Sequence, residues 1–200
     1  MKQLHRQDLR GWSSFDESRD IDFNGVLWQR AGGNVLIDPM PMCEHDLAQL
    51  EQLGGAATIV ITNSDHVRAT VTLAQRFGAE VVGPRGESGD FPIPTARTVG
   101  DGETIVEGLR ALAMEGSKTP GELSLVLEGG TLITGDLVRG QRGGALNLLP
   151  DAKLTDRAAA LASVRRLAAL PGIEAVLVGD GWPIFDGGRA ALTALVASFD

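Results

Sequence analysis

Ile59-Val60-Ile61-Thr62-Asn63-Ser64-Asp65-His66 runs from apolar, β-branched residues straight into a polar turn. Three further stretches repeat the pattern: Val35-Leu36-Ile37-Asp38, Leu132-Ile133-Thr134-Gly135-Asp136 and Val176-Leu177-Val178-Gly179-Asp180. Each reads as a strand that ends in a side chain able to act as a ligand. In α/β proteins strand ends gather at one edge of a sheet, where loops build sites. Four acidic or amide ends sharing an edge crowd negative charge, and crowded carboxylates need a cation, a proton or a basic partner.

Working outward, Asn63 or Ser64 can cap a helix that runs to about Phe77, with Val67, Val71, Ala74 and Phe77 on one face and Gly78 as its stop. Val81-Val82-Gly83-Pro84 is the next strand, which closes a right-handed β-α-β unit. On the N-terminal side, Gly25 to Gln29 and Asn34 to Asp38 read as strands joined at Gly32-Gly33. Glu44 to Leu53 reads as a helix ended by Gly54. Residues 1–24 read as polar and irregular, with at most a short edge strand, and residues 85–99 read as loop. Beyond Glu103 short strands dominate, and Gly129-Gly130 turns a hairpin between Leu123 to Leu127 and Thr131 to Thr134. Thr155 is the expected cap of a helix to about Leu170, followed by a strand over 174–179 and a helix over 188–199. Antiparallel pairs interleaved with helices fit two mixed sheets packed face to face with helices outside, in one domain over 1–200.

The totals set limits. Hydrophobic content of 43% and charged content of 22% suit a globular chain with a core. A net charge of -8 argues against a nucleic-acid footprint and against an anionic membrane surface. No run of 18 apolar residues is present, and Met1 to Arg6 lacks the apolar stretch of a signal peptide. The single Cys43 excludes an intrachain disulfide and a cysteine-based zinc cluster. A cytoplasmic location is the expectation.

Asp65-His66 sits where a strand becomes a helix, and an imidazole and a carboxylate on one turn can hold a divalent ion. Taken alone, the pair reads first as an acid at a helix start beside a surface histidine. Gly116-Ser117-Lys118-Thr119 lacks the upstream glycine spacing of a phosphate loop, and Pro120 stands where that helix would begin. Cys43 reads as a half-buried residue at a helix start rather than a nucleophile.

The order of the pieces says more. The turn Thr62 to His66, the turn Thr119-Pro120-Gly121-Glu122, the strand end Thr134-Gly135-Asp136 and the turn Gly179-Asp180-Gly181-Trp182-Pro183 together resemble the metallo-β-lactamase fold superfamily, over roughly Gly25 to the C-terminus. The resemblance implies an αββα sandwich. In that superfamily a strand runs into Thr-His-X-His-X-Asp-His, a later His precedes a Thr-Pro-Gly turn, a Gly-Asp bridges two metals, and a last His lies in a Gly-His-Gly turn. Here Asp65 and His66 match the end of the first motif and Asp136 matches the bridging carboxylate. Asn63 stands near a missing histidine, Lys118 replaces the His before Thr119, and Asp180 replaces the last. With only His5, His45 and His66 in the chain, a full two-zinc site is impossible.

The resemblance then implies a reduced site. Its second metal position reads Asp65, His66, Asp136 and Asp180, all able to bind an ion, while its first has no histidine left. Three carboxylates with a neutral His carry about −3, which a divalent ion and Lys118 nearly offset. One ion is expected, Zn, Mn or Fe, with Mg also suited to an oxygen-rich set; the rival expectation is none, with Lys118 pairing with Asp136 or Asp180. The implied activity is hydrolysis of an ester, thioester, lactone or phosphoester, with Lys118 stabilising the oxyanion and Asp65 or Asp136 as base. The rival is a catalytically silent fold that binds a small molecule or a partner protein. Asp38 is expected to support the loops by hydrogen bonds, Asn63 to stand close by, His45 to be a surface or capping residue with the alternative of reaching the site from the loop after Asp38, and Trp182 to line a substrate cleft. A small-molecule ligand is the expected partner, nucleic acid and membrane are not, and the sequence leaves room for a homodimer.

Overall fold

The computed structural model describes residues 1–199. In chain order its strands and helices are β1 (Lys2–Gln3), β2 (Leu9–Asp16), β3 (Ile21–Trp28), β4 (Val35–Ile37), α1 (Glu44–Gln52), β5 (Thr58–Val60), α2 (Thr70–Phe77), β6 (Glu80–Pro84) and β7 (Arg97–Val99). The second half holds β8 (Thr104–Val106), β9 (Leu109–Ala113), β10 (Leu123–Leu127), β11 (Thr131–Thr134), β12 (Val138–Arg142), β13 (Ala145–Leu148), α3 (Arg157–Ala168), β14 (Ala175–Val178) and α4 (Gly188–Ala197).

The first half forms a seven-stranded sheet in sequential order β1 to β7. It is antiparallel as far as β4 and parallel from β4 to β7. The second half forms a five-stranded sheet in the order β14-β11-β10-β9-β8, with β14 parallel to β11 and the rest antiparallel. The central strands are buried on both faces, which is why they read as unbroken apolar runs. Successive side chains enter different cores. Val35 and Ile37 face the space between the sheets, and Leu36 faces the layer of α1 and α2 with Leu50 and Leu73. In the other sheet Ile133 and Leu177 point between the sheets, whereas Leu132, Val176 and Val178 pack on α3 and α4 with Val164 and Leu192. The result is the expected α/β sandwich of two mixed sheets flanked by helices.

The structure departs from the sequence reading in several places. Residues 1–24 are not irregular: they supply β1, β2 and the start of β3, and all eight residues of β2 pair with β3 from Leu9↔Trp28 to Asp16↔Ile21. Only Leu9 and Trp12 of β2 are buried, one on each face, so the strand has no alternation to detect; its partner imposes it. The helix expected directly after Asn63 is split. Ser64–His66 is one 3-10 turn, capped by the Asn63 side chain accepting from Asp65 N at 3.0 Å, and α2 starts only at Thr70. Between them Arg68 sits at φ 43°, a left-handed conformation that breaks the helical path. Residues 85–99 include a 3-10 turn at Arg85–Glu87 and the edge strand β7. Asp156, not Thr155, caps α3, because its side chain accepts from Ala159 N at 3.0 Å. The β12–β13 hairpin was not foreseen.

Candidate functional site

The site grows from neighbouring strand ends. Asp38 follows β4 and Thr62 follows β5, which pair in parallel. One Asp38 oxygen accepts from Thr62 N at 2.8 Å. The other accepts from Thr62 Oγ1 at 2.6 Å and from His66 Nδ1 at 2.9 Å. A carboxylate on Nδ1 fixes the proton there in the neutral ring, so a neutral His66 would turn the lone pair of Nε2 toward Asp136 and Asp180.

Opposite stand Asp136, after β11, and Asp180, after β14, again parallel neighbours. His66 Nε2 lies 3.7 Å from Asp136 Oδ1 and 3.9 Å from Asp180 Oδ1. Glycine precedes each aspartate for a spatial reason: a Cβ on Gly179 would lie 2.8 Å from His66 Cε1, and one on Gly135 would lie 3.0 Å from Thr62 Oγ1 and from Glu122 Oε1.

Basic side chains hold the carboxylates from behind. Lys118 Nζ lies 2.9 Å from Asp136 Oδ2 and 2.5 Å from Asp65 Oδ2. Arg139 donates to Asp180 Oδ2 at 2.6 Å. Arg68 reaches Asp180 Oδ1 at 3.3 Å while donating to Asn24 O at 2.7 Å and Asp38 O at 3.1 Å. Backbone contacts also seat the Arg139 hairpin against the Asp180 turn. Trp182 N donates to Gly140 O at 2.6 Å, and a Cβ on Gly181 or on Gly140 would collide with the facing carbonyl oxygen.

These neighbours shift the ionisations. Burial works to lower the His66 pKa, but the Asp38 charge and hydrogen bond, with the Asp136 carboxylate nearby, raise it to about 9, against Arg68. Burial works to raise Asp136, yet His66 and Lys118 hold it well below the usual carboxylate range. Burial and the Asp136 charge push Asp180 up, with His66, Arg139 and Arg68 opposing. Burial disfavours the Lys118 ammonium, and Asp65 and Asp136 more than restore it, so its pKa rises.

His66, Asp136 and Asp180 each offer one ligand atom, and these atoms lie within 4.8 Å of one another. Around a tetrahedral ion with bonds of about 2.1 Å, ligand atoms stand about 3.4 Å apart, close to the two measured separations. Each donor also has its remaining polar atom tethered, His66 by Asp38, Asp136 by Lys118 and Asp180 by Arg139, as outer partners orient metal ligands. The donor set therefore fits one divalent ion.

Asp65, His66, Lys118, Asp136 and Asp180 thus meet in one place. Asp65, with a side chain 52% exposed, is turned to Lys118 and stands outside that three-residue group. Lys118 pairs with Asp136 and Asp65, while the pairing partners of Asp180 are arginines. Asn63 is buried, with Oδ1 spent on its turn and Nδ2 without a partner. His45 stands exposed on the first turn of α1, and Cys43 is exposed rather than half-buried. Trp182, 60% exposed, lines a cleft of about 540 Å³ with Leu4, Ser13, Asn24, Leu177 and Phe185; Gly181 belongs to that lining, but none of the five converging side chains does. Sequence reasoning missed Arg68, Arg139 and Glu122. The one available signal was position: Arg68 lies two residues past His66, Arg139 three past Asp136, and Glu122 ends the Thr-Pro-Gly-Glu turn.

The model of the metallo-β-lactamase superfamily matches residues 1–199, and the chain belongs to that superfamily. It is 32% identical over 88 residues to hydroxyacylglutathione hydrolase of Rhizobium meliloti (strain 1021); the match takes in 42% of this chain and 34% of that relative, about a third of its length. Among solved structures it superposes on DIM-1 metallo-β-lactamase with a TM-score of 0.75 at 16% identity, covering 98% of this chain and 95% of that one. TTHA1623 in a di-iron-bound form gives a TM-score of 0.70 at 23% identity, with 92% and 98% covered. A metallo-β-lactamase from Erythrobacter litoralis with β-mercaptoethanol in its active site gives 0.75 at 19% identity, with 99% and 96% covered. These likenesses show the fold. No helix among the described residues is long and apolar enough to cross a membrane.

Proposed function

We propose that the chain is a hydrolase with a single-ion site built from His66, Asp136 and Asp180. The observation that carries the reading is the tethering pattern: three donor atoms face one another while Asp38, Lys118 and Arg139 hold the opposite atom of each donor. A divalent ion bound there, Zn, Mn or Fe, supplies Lewis acidity and a water acidified toward neutrality. The protein's own groups do the rest. Lys118, 32% exposed at the rim, offers its ammonium to the oxyanion that develops on the substrate carbonyl or phosphoryl. Asp65, the more exposed partner of Lys118, accepts the proton released on attack. Arg68 and Arg139 keep Asp180 in place. The substrate class is an ester, thioester, lactone or phosphoester, and the name of the Rhizobium relative points first to a thioester.

A second reading rests on a different observation. Asp38, Asp65, Asp136 and Asp180 face Arg68, Lys118 and Arg139, so protonated His66 would balance the set with no ion. The site formed by these side chains would then bind a small molecule without hydrolysing it. Titration of chelator-stripped protein with Zn, Mn and Fe by calorimetry separates the two. One ion per chain, abolished by Asp136→Ala and Asp180→Ala, together with metal-dependent thioester or phosphoester hydrolysis, supports the hydrolase. No binding in any titration overturns the single-ion hydrolase reading.

A further inference from the structure

Glu122 is a fully buried acid that the proposed chemistry does not use. It stands between β9 and β10, on the turn that follows Lys118. One carboxyl oxygen, Oε2, is hydrogen-bonded to Ser117 Oγ, and the other, Oε1, accepts from Leu137 N at 2.8 Å. Ser117 immediately precedes Lys118, and Leu137 immediately follows Asp136. We infer that Glu122 is a positioning residue: its carboxyl group staples the Lys118 turn to the Asp136 strand end and so sets the Lys118–Asp136 pair.

The surroundings suit such a role. The peptide group that joins Glu122 to Leu123 is fixed at both its polar atoms, since Met114 N donates to the Glu122 carbonyl at 2.7 Å and Leu123 N donates to Thr62 O at 2.8 Å. The second of these bonds ties the turn to the stretch that carries His66. Gly121 fixes the turn itself, because a Cβ there would lie 2.7 Å from Glu87 N and 2.8 Å from Gly86 Cα. Both staple bonds also survive a change of protonation. An ionised carboxylate accepts from Ser117 Oγ and Leu137 N; a neutral one donates its hydrogen to Ser117 Oγ and still accepts from Leu137 N. The inference concerns the geometry of the proposed site and needs neither a bound ion nor turnover.

The test is a double-mutant cycle between Lys118→Met and Asp136→Asn, read as the folding equilibrium constant in urea on chelator-stripped protein, in three backgrounds. With Glu122 intact the coupling between positions 118 and 136 should be about tenfold, within the range for contacting residues. Glu122→Ala should cut it to about twofold or less, and Glu122→Gln, which can make both bonds, should restore it. General destabilisation alone would lower every stability and leave the coupling unchanged. Should the alanine variant not fold, Ser117→Ala removes one arm of the staple and decides the matter the same way. A coupling that stays near tenfold in either folded variant overturns the inference, and does so without touching the metal question.

Discussion

Arg139 reaches from the first strand of the β12–β13 hairpin to within 2.6 Å of Asp180, and both side chains are buried. The hairpin begins two residues after Asp136, so one short segment supplies a site carboxylate and the cation that steadies another. Arg139→Met would leave the Asp180 carboxylate buried with only Arg68 and His66 near it. Breaking a buried pair from one side costs about 3–5 kcal/mol. Urea unfolding of Arg139→Met should show that loss, and Arg139→Met/Asp180→Asn should recover much of it. A loss below about 1 kcal/mol in the single variant would mean that Arg68 alone suffices.

Lys118 carries a different burden, being partly exposed and shared between Asp136 and Asp65. In the hydrolase reading Lys118→Ala should lower kcat about 10²–10³-fold, the cost typical of losing one oxyanion donor. Ion affinity should fall as well, by about 10–100-fold, because Lys118 is also the outer partner of Asp136. Steady-state kinetics at saturating ion beside calorimetric titration separate the two roles; a kcat restored by excess ion would leave Lys118 only the role of holding Asp136 in place.

The pH dependence has a definite sign. His66 binds its proton more tightly in the folded chain, with a pKa raised from 6.5 to about 9, so its contribution is complete below pH 6.5 and is lost as pH rises through 9. Glu122, raised by burial from 4.5 to about 7, behaves alike: its contribution is complete below pH 4.5 and gone above 7. Chelator-stripped protein should therefore lose stability in two steps between about pH 4.5 and 9, and Glu122→Gln should remove the lower step. Urea midpoints across that range would test it; a profile identical in both proteins below pH 7 would contradict the Glu122 part.

Gly179→Ala places a methyl group 2.8 Å from His66 Cε1. Overpacking of this kind costs about 1–3 kcal/mol, and the imidazole must move from its bond with Asp38. Ion affinity should fall about 10–100-fold, as when an outer partner of a ligand is lost. Calorimetry on Gly179→Ala would show it, and an unchanged affinity would place the ion away from His66 Nε2.

Much of the fold was legible because its central strands are buried on both faces. Val35 to Ile37, Leu132-Ile133 and Val176 to Val178 feed two cores each, and a chain segment with that duty has to be apolar throughout. Glycine pairs and strand-end aspartates were legible for the same local reasons. What escaped were features imposed from a distance. β2 is polar at most positions and exists because β3 pairs with it. Arg68 looked like one more helical residue; its left-handed backbone, which aims it at Asp180, has no signature in Asp65-His66-Val67-Arg68. Arg139 sits in an ordinary-looking run, and only the folded hairpin brings it to its partner. The charge count made from sequence consequently had one cation where the structure has three.

The facing glycines 140 and 181 bear on how such a chain can change over generations. A Cβ on Gly181 would strike the backbone of Gly140, and one on Gly140 the backbone of Trp182, so a side chain on either would push the hairpin off the turn holding Asp180. Neither residue offers a ligand atom, yet a side chain on either would displace the turn that carries the aspartate. A descendant that altered one would have to reroute the hairpin in the same step, and the Arg139–Asp180 pair would be disturbed with it.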